Sequence, residues 1–172
     1  MARLWDDIAL TDMEKEVIAA LRLIAPGTAG LNFVGNAASV AERTPIVKIA
    51  SIAEPIPLRS MGDGMQRMLG VALALVNARD GLLLIDEIEN GIHYAVQPDL
   101  WNSIFYLADQ LNVQVLATTH SWDCLEGFKE ATQRKKREGL LIRLENRKGR
   151  LVATILDEQR LNVITRERIE VR

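Results

Sequence analysis

The hydrophobic positions of this chain change period several times, and each change marks an element. Met13, Val17, Ile18, Leu21 and Ile24 recur at helical spacing. Thr11 and Glu14 ahead of them read as a capping box, Thr11 as N-cap and Glu14 reaching back. Pro26-Gly27 stops the helix. "GLNFVG" and "PIVKIAS" follow as short strand candidates, parted by a polar, alanine-containing loop. "EPIPLRSMGDG" reads as a loop and opens into "MQRMLGVALALVNAR", whose apolar positions run nearly all the way round. Such a helix is expected to be buried.

"GLLLIDE" is a short apolar run bounded by glycine and acids, and "VQVLATTH" is a second. Both are expected as buried strands. Between them, Leu100, Trp101, Ile104, Leu107, Ala108 and Leu111 share one helical face. Strand, helix and strand in this order predict a parallel βαβ unit, normally right-handed. "WDCLEGFKEATQRKKRE" then reads as a helix with a solvated basic end, and "GLLIRLE" and "RLVATILD", joined by "NRKG", as a β-hairpin. The last fifteen or so residues are charged and suggest a short helix. No linker or repeat divides the chain, so a single α/β domain over 1–172 is expected: a parallel βαβ core with flanking helices and a C-terminal hairpin.

Composition adds exclusions. With 172 residues, 48% hydrophobic and 26% charged, the chain is long enough for a real core and ordinary for a globular protein. A formal net charge of -2 gives no electrostatic footprint for nucleic acid. The single cysteine, Cys124, excludes an internal disulfide and any cysteine-built metal site, and fits a reducing cytoplasm. No apolar run approaches membrane-spanning length, and "MARLWDDIAL" interrupts its apolar stretch with acids, unlike a signal peptide.

The candidate chemistry lies where the two predicted parallel strands end. In an open parallel sheet, ligands bind at the carboxyl ends of the strands. Asp86-Glu87 follow the first strand and His120 the second, so two acids and a histidine converge on one crevice. Isolated carboxylates are costly to desolvate, so a cation or a reaction is expected there. An acid can hold Mg²⁺ in a phosphate site, a second can position an attacking water, and a histidine can donate to a phosphate oxygen. The bland alternatives are a helix N-terminus that favours acids and a satisfied loop histidine.

Four stretches resemble motifs of one family, in that family's order. "GLLLIDE" looks like a Walker B strand with its catalytic glutamate, "IENGIH" like the D-loop, "ATTHS" like the H-loop with its switch histidine, and "RSMGDGMQRML" like the signature loop opening the signature helix. The chain from about Pro57 to Ser121 thus resembles the ABC-type, AAA-like P-loop ATPases of the soluble branch. That branch includes the overcoming-lysogenization-defect (OLD) and structural-maintenance-of-chromosomes proteins. The resemblance implies Glu87 and His120 as catalytic groups, Asp86 as the metal group, and ATP with Mg²⁺ as ligands. It implies that Ser60, Gly62, Asp63 and Gly64 form the loop that touches the γ-phosphate held by an opposite subunit. Either Ser60 or Gly62 fits the signature serine position. His93 stands where the D-loop often has an acid.

No Gly-Lys pair occurs anywhere, so the phosphate-cradling G-x-x-x-x-G-K-[ST] is absent from this chain. The expectation is therefore the C-terminal half of such an ATPase: a fragment, a truncated product or one piece of a split protein, inactive alone. Its expected partners are a P-loop half in cis or in trans and a second copy of itself. Two other functions compete. A metal-dependent nuclease would want an Asp-x-Asp pair, which the chain lacks. A non-catalytic interaction module needs no P-loop. The run Arg134 to Arg137 reads as a solvated helix end, with nucleic-acid contact as its alternative.

Overall fold

A computed structural model describes residues 1–36, 39–135 and 139–156. The second half of the basic run, 136–137, and the charged tail from 157 onward lie outside the described residues.

A short helix α1 (Ala2–Asp6) precedes the amphipathic α2 (Asp12–Arg22). The sequence pattern does not announce α1, yet its Trp5 is buried and its end is tied by Asn77 Nδ2 donating to the Leu4 carbonyl. Thr11 is the N-cap of α2, but its hydroxyl accepts from Met13 N–H, and Glu14 reaches past Thr11 to the Leu10 N–H at 2.8 Å. The reciprocal capping box is thus displaced by one residue on each side. The Thr11 N–H is already donated to the Ile8 carbonyl, which leaves Glu14 the next free donor upstream.

Strands β1 (Thr28–Asn36) and β2 (Ser39–Ile49) form an antiparallel pair, extended at one edge by β3 (Ile56–Pro57). The pair runs further than the sequence suggested: residues expected as a loop continue β2 back to Ser39. A 3-10 turn, Leu58–Met61, then leads into α3 (Asp63–Asn77). Met65, Met68, Leu69, Val71, Ala72, Leu73, Leu75 and Val76 of α3 are all buried, as its all-round apolar pattern requires. Helix α3 packs against α1, α2, α4 and β4 and is the centre of the core.

Strands β4 (Leu82–Ile85) and β5 (Gln114–Ala117) are parallel, in register Leu82 to Gln114 and Ile85 to Ala117, with α4 (Gln97–Leu111) as the crossover. Asn112, left-handed at φ 53°, ends α4, and its Nδ2 donates to Asp80 Oδ1 beside the start of β4. The expectation that both strands are buried is corrected. Leu83, Ile85, Val115 and Ala117 face the core, but Leu82, Leu84 and Leu116 on the other face are 55%, 65% and 58% exposed. Among the described residues nothing covers that second face, although strands of a parallel sheet normally have both faces covered.

Helix α5 (Trp122–Lys135) joins α4 through Trp101, Phe105 and Phe128, whose rings lie 5.0 to 6.3 Å apart. Strands β6 (Leu141–Arg147) and β7 (Arg150–Leu156) form the expected hairpin. Its turn uses Lys148 and Gly149, both at positive φ, the backbone that a tight right-twisted hairpin favours. The hairpin too has an apolar exposed face, with Leu144, Leu151 and Ile155 open.

Candidate functional site

The parallel ladder ends together. Ile85 and Ala117 are its last pair, so Asp86-Glu87 and Thr118-His120 leave the sheet side by side. The Thr118 N–H donates to the Ile85 carbonyl at 2.9 Å, and the Ile88 N–H to the Thr118 carbonyl at 3.1 Å. The chain turns sharply at Glu87, whose φ of 47° is left-handed. A side chain of this type in that region costs on the order of 1–2 kcal/mol, so the surroundings must hold it.

They do so from three sides. Thr118 Oγ1 accepts the Glu87 N–H at 2.9 Å and donates to Asp86 Oδ1 at 2.6 Å. Arg67 Nη2, from α3, donates to the carbonyls of Asp86 and Glu87 at 2.6 and 2.7 Å. Glu89 Oε1 accepts the His120 N–H at 2.9 Å and so ties the two strand ends together. The side chains of Asp86, Glu87 and His120 remain exposed at this edge. Asp86 Oδ2 makes no hydrogen bond among the described residues.

The glycine-led end of α3 lies against the same turn. Gly62 is at φ 91° and ψ 170°, a conformation essentially reserved for glycine, so the loop entering α3 requires it. A Cβ on Gly64 would stand 2.8 Å from the Gly91 carbonyl oxygen, and one on Gly91 would stand 3.5 Å from Asp63 Cβ. Gly62, Asp63 and Gly64 are thereby brought next to the turn that follows Glu87. Ser60 is exposed in the 3-10 turn before them. His93 acts locally: its Nδ1 accepts the Ala95 N–H at 3.3 Å, capping the 3-10 turn Tyr94–Val96, and its ring stacks 4.3 Å from Tyr94.

Three residues of this arrangement escape a reading of the sequence. Arg67 is one basic residue in an apolar helix, Thr118 the first of two threonines before the histidine, and Glu89 the third acid of its cluster. For Thr118 and Glu89, only proximity across 31 or more positions of chain reveals their partners. Behind the site, Cys124 is buried, and burial pushes its thiol pKa up; hydrogen bonds with Thr119 and Trp101 oppose this, and the Glu89 charge adds to it.

The donor set fits Mg²⁺, which takes one or two carboxylates beside phosphate oxygens and keeps several waters. Asp86 offers one unengaged oxygen at an open edge. Among the described residues no three or more His, Cys, Asp or Glu gather into a metal cage, and no helix is long and apolar enough to cross a membrane.

Comparison with known proteins agrees with this geometry. Residues 49–123 match the family described as AAA domain, putative AbiEii toxin, Type IV TA system. An ATP/GTP phosphatase of Helicobacter pylori (strain ATCC 700392 / 26695) is 32% identical over 92 residues, covering 52% of this chain. The chain spans a quarter of that relative's length, 25%. A solved SMC ATPase, studied for ATP-driven dimerization and DNA-stimulated activation, superposes with TM-score 0.64 at 12% identity, over 92% of this chain and 91% of its own. The Smc head bound to the C-winged helix domain of ScpA gives 0.59 at 13% identity, over 84% of this chain and 42% of that one. A Smc head domain with a coiled coil and joint from Pyrococcus yayanosii gives 0.59 at 13%, over 92% and 29%. The matched segment spans the glycine-led helix, the acid pair and the histidine; these likenesses support a fragment of a P-loop ATPase of the AAA/ABC type, and the α/β fold is similar to that of the SMC ATPase heads.

Proposed function

We propose that Asp86, Glu87 and His120 are the hydrolytic edge of a soluble, cytoplasmic ATPase whose phosphate cradle is supplied by a P-loop half, in cis or in trans. The observation that carries this reading is the pairing of Asp86-Glu87 with His120 at neighbouring carboxyl ends of two parallel strands, locked by Thr118 and Glu89.

Glu87 accepts a proton from the water that attacks the γ-phosphorus, and the bond to the bridging oxygen breaks so that ADP leaves with its electron pair. His120 donates to a γ-phosphate oxygen. Asp86 would hold Mg²⁺, which when bound would offset charge on the phosphates. Ser60, Gly62, Asp63 and Gly64 open α3 toward solvent, where backbone N–H groups and the helix dipole suit the phosphate of a nucleotide on a second subunit. His93 borders the same interface. ATP is then sandwiched between two subunits. Without the cradle, the 172-residue chain turns nothing over.

A second reading, a non-catalytic interaction module, is favoured by the apolar faces left open on β4–β5 and on the hairpin. One experiment separates the two: single-turnover hydrolysis beside equilibrium Mg-ATP binding, in the chain joined to its P-loop half. Glu87→Gln should lower the rate by about 10²–10⁴-fold and leave binding intact. Asp86→Ala should weaken Mg-ATP binding, and His120→Ala should slow hydrolysis. Hydrolysis by Glu87→Gln at the parent rate removes the acid pair as the reacting centre. Micromolar Mg-ATP binding with turnover in the 172-residue chain alone removes the need for a second half.

A further inference from the structure

Arg67 has no part in the hydrolytic chemistry proposed above, yet it touches the acid pair more directly than any other cation of the described residues. Its Nη2 donates at once to the Asp86 and Glu87 carbonyls, at 2.6 and 2.7 Å. Its Nε is buried with no hydrogen-bond partner. A buried N–H left unmatched is unfavourable. The inward residues of α3 around it are apolar, and an apolar residue in its place would spare that cost. The two hydrogen bonds at its other end are what offset that cost.

We propose that Arg67 is a positioning residue for Asp86 and Glu87, holding the peptide path that decides where both carboxylates stand. This rests on the reading of the site given above. One nitrogen reaches two successive carbonyls only where the chain leaves the extended conformation, and Glu87, at φ 47°, is where it does. The Glu87 carbonyl also accepts the Asn90 N–H at 3.0 Å, so Arg67 completes a turn that the backbone alone closes on one side. The guanidinium binds carbonyls and forms no ion pair with either carboxylate among the described residues. Positive charge therefore stands behind the pair while Asp86 Oδ2 and the Glu87 carboxylate stay available. Charge-assisted hydrogen bonds of this kind are about twice as strong as neutral ones.

The test has two arms. In the 172-residue chain, amide resonances of Glu87, Ile88 and His120 are compared for the parent, Arg67→Met and Arg67→Ala, with and without guanidinium ion below denaturing concentration. Both substitutions should displace the Glu87 and Ile88 signals, and guanidinium should return those of Arg67→Ala, which leaves room for it, but not those of Arg67→Met. In the chain joined to its P-loop half, Arg67→Ala should lower the single-turnover rate by about tenfold or more with Mg-ATP affinity unchanged, and guanidinium should recover part of the rate. Unmoved amide signals overturn the proposal, even where the substitution lowers the melting temperature. So does a loss of rate that guanidinium never restores, or one matched by an equal loss of ATP affinity. A parent protein that hydrolyses no ATP removes the hydrolytic reading instead, and the amide comparison then decides the role of Arg67 by itself.

Discussion

Two glycines of α3 should respond to the same substitution with opposite signs. A Cβ on Gly64 would stand 2.8 Å from the Gly91 carbonyl oxygen, against 3.4 Å where ordinary contact begins, a shortfall of about 0.6 Å. The obstacle is backbone, so α3 and the turn after Glu87 must part. Forcing extra volume into a packed contact costs about 1–3 kcal/mol. Alanine returns up to about 1 kcal/mol through lower unfolded-state entropy and better helix propensity, and less than that this near the helix start. Gly64→Ala should therefore be destabilised by roughly 0.5–2 kcal/mol. Gly70 lies mid-helix, and a methyl group there would meet nothing within 4 Å, so Gly70→Ala keeps only the gain and should be stabilised by about 0.5–1 kcal/mol. Urea titrations followed by circular dichroism read both as shifts in midpoint at constant slope. Equal signs for the two variants would refute the close approach of α3 to the Gly91 turn, and with it the joining of the glycine loop to the acid pair.

Three further outcomes follow from the packing and the exposed faces. Leu84→Lys with Leu116→Lys, at positions 65% and 58% exposed, should change stability by less than about 0.5 kcal/mol per site yet reduce self-association; light scattering that finds the parent chain already monomeric would end the idea that this face pairs with a second copy. Trp101→Phe removes the hydrogen bond donated to the Cys124 carbonyl at 3.1 Å and should cost about 1 kcal/mol or more in thermal unfolding; a change within about 0.3 kcal/mol would show the bond to be idle. Because the Cys124 thiol pKa is raised in the fold, chiefly by burial, its contribution to stability is full below the free-thiol pKa of about 8.5 and is lost as pH rises through the folded value. The melting temperature of the parent should fall more steeply above that pH than that of Cys124→Ala, and parallel curves would disprove the linkage.

Much of the fold was legible from period alone. The all-round apolar pattern of 65–76 can only be a core helix, and the order strand, helix, strand over 82–117 leaves a parallel crossover as its compact solution. The acid pair and the histidine follow from that crossover, since parallel strands present their carboxyl ends at one edge. Tertiary structure decided what period does not carry. An apolar strand reads as buried, but burial depends on what lies opposite, and Leu82, Leu84 and Leu116 have nothing opposite them among the described residues. The Thr11–Glu14 cap slid by one residue because Ile8 had already taken the Thr11 N–H. Thr118, Glu89 and Arg67 gained their places from contacts across 19 to 32 positions of chain, where hydrogen bonds depend on ångström-scale placement and no local pattern records them. Local sequence sets which backbone each segment prefers; only the packed chain decides which polar group meets which.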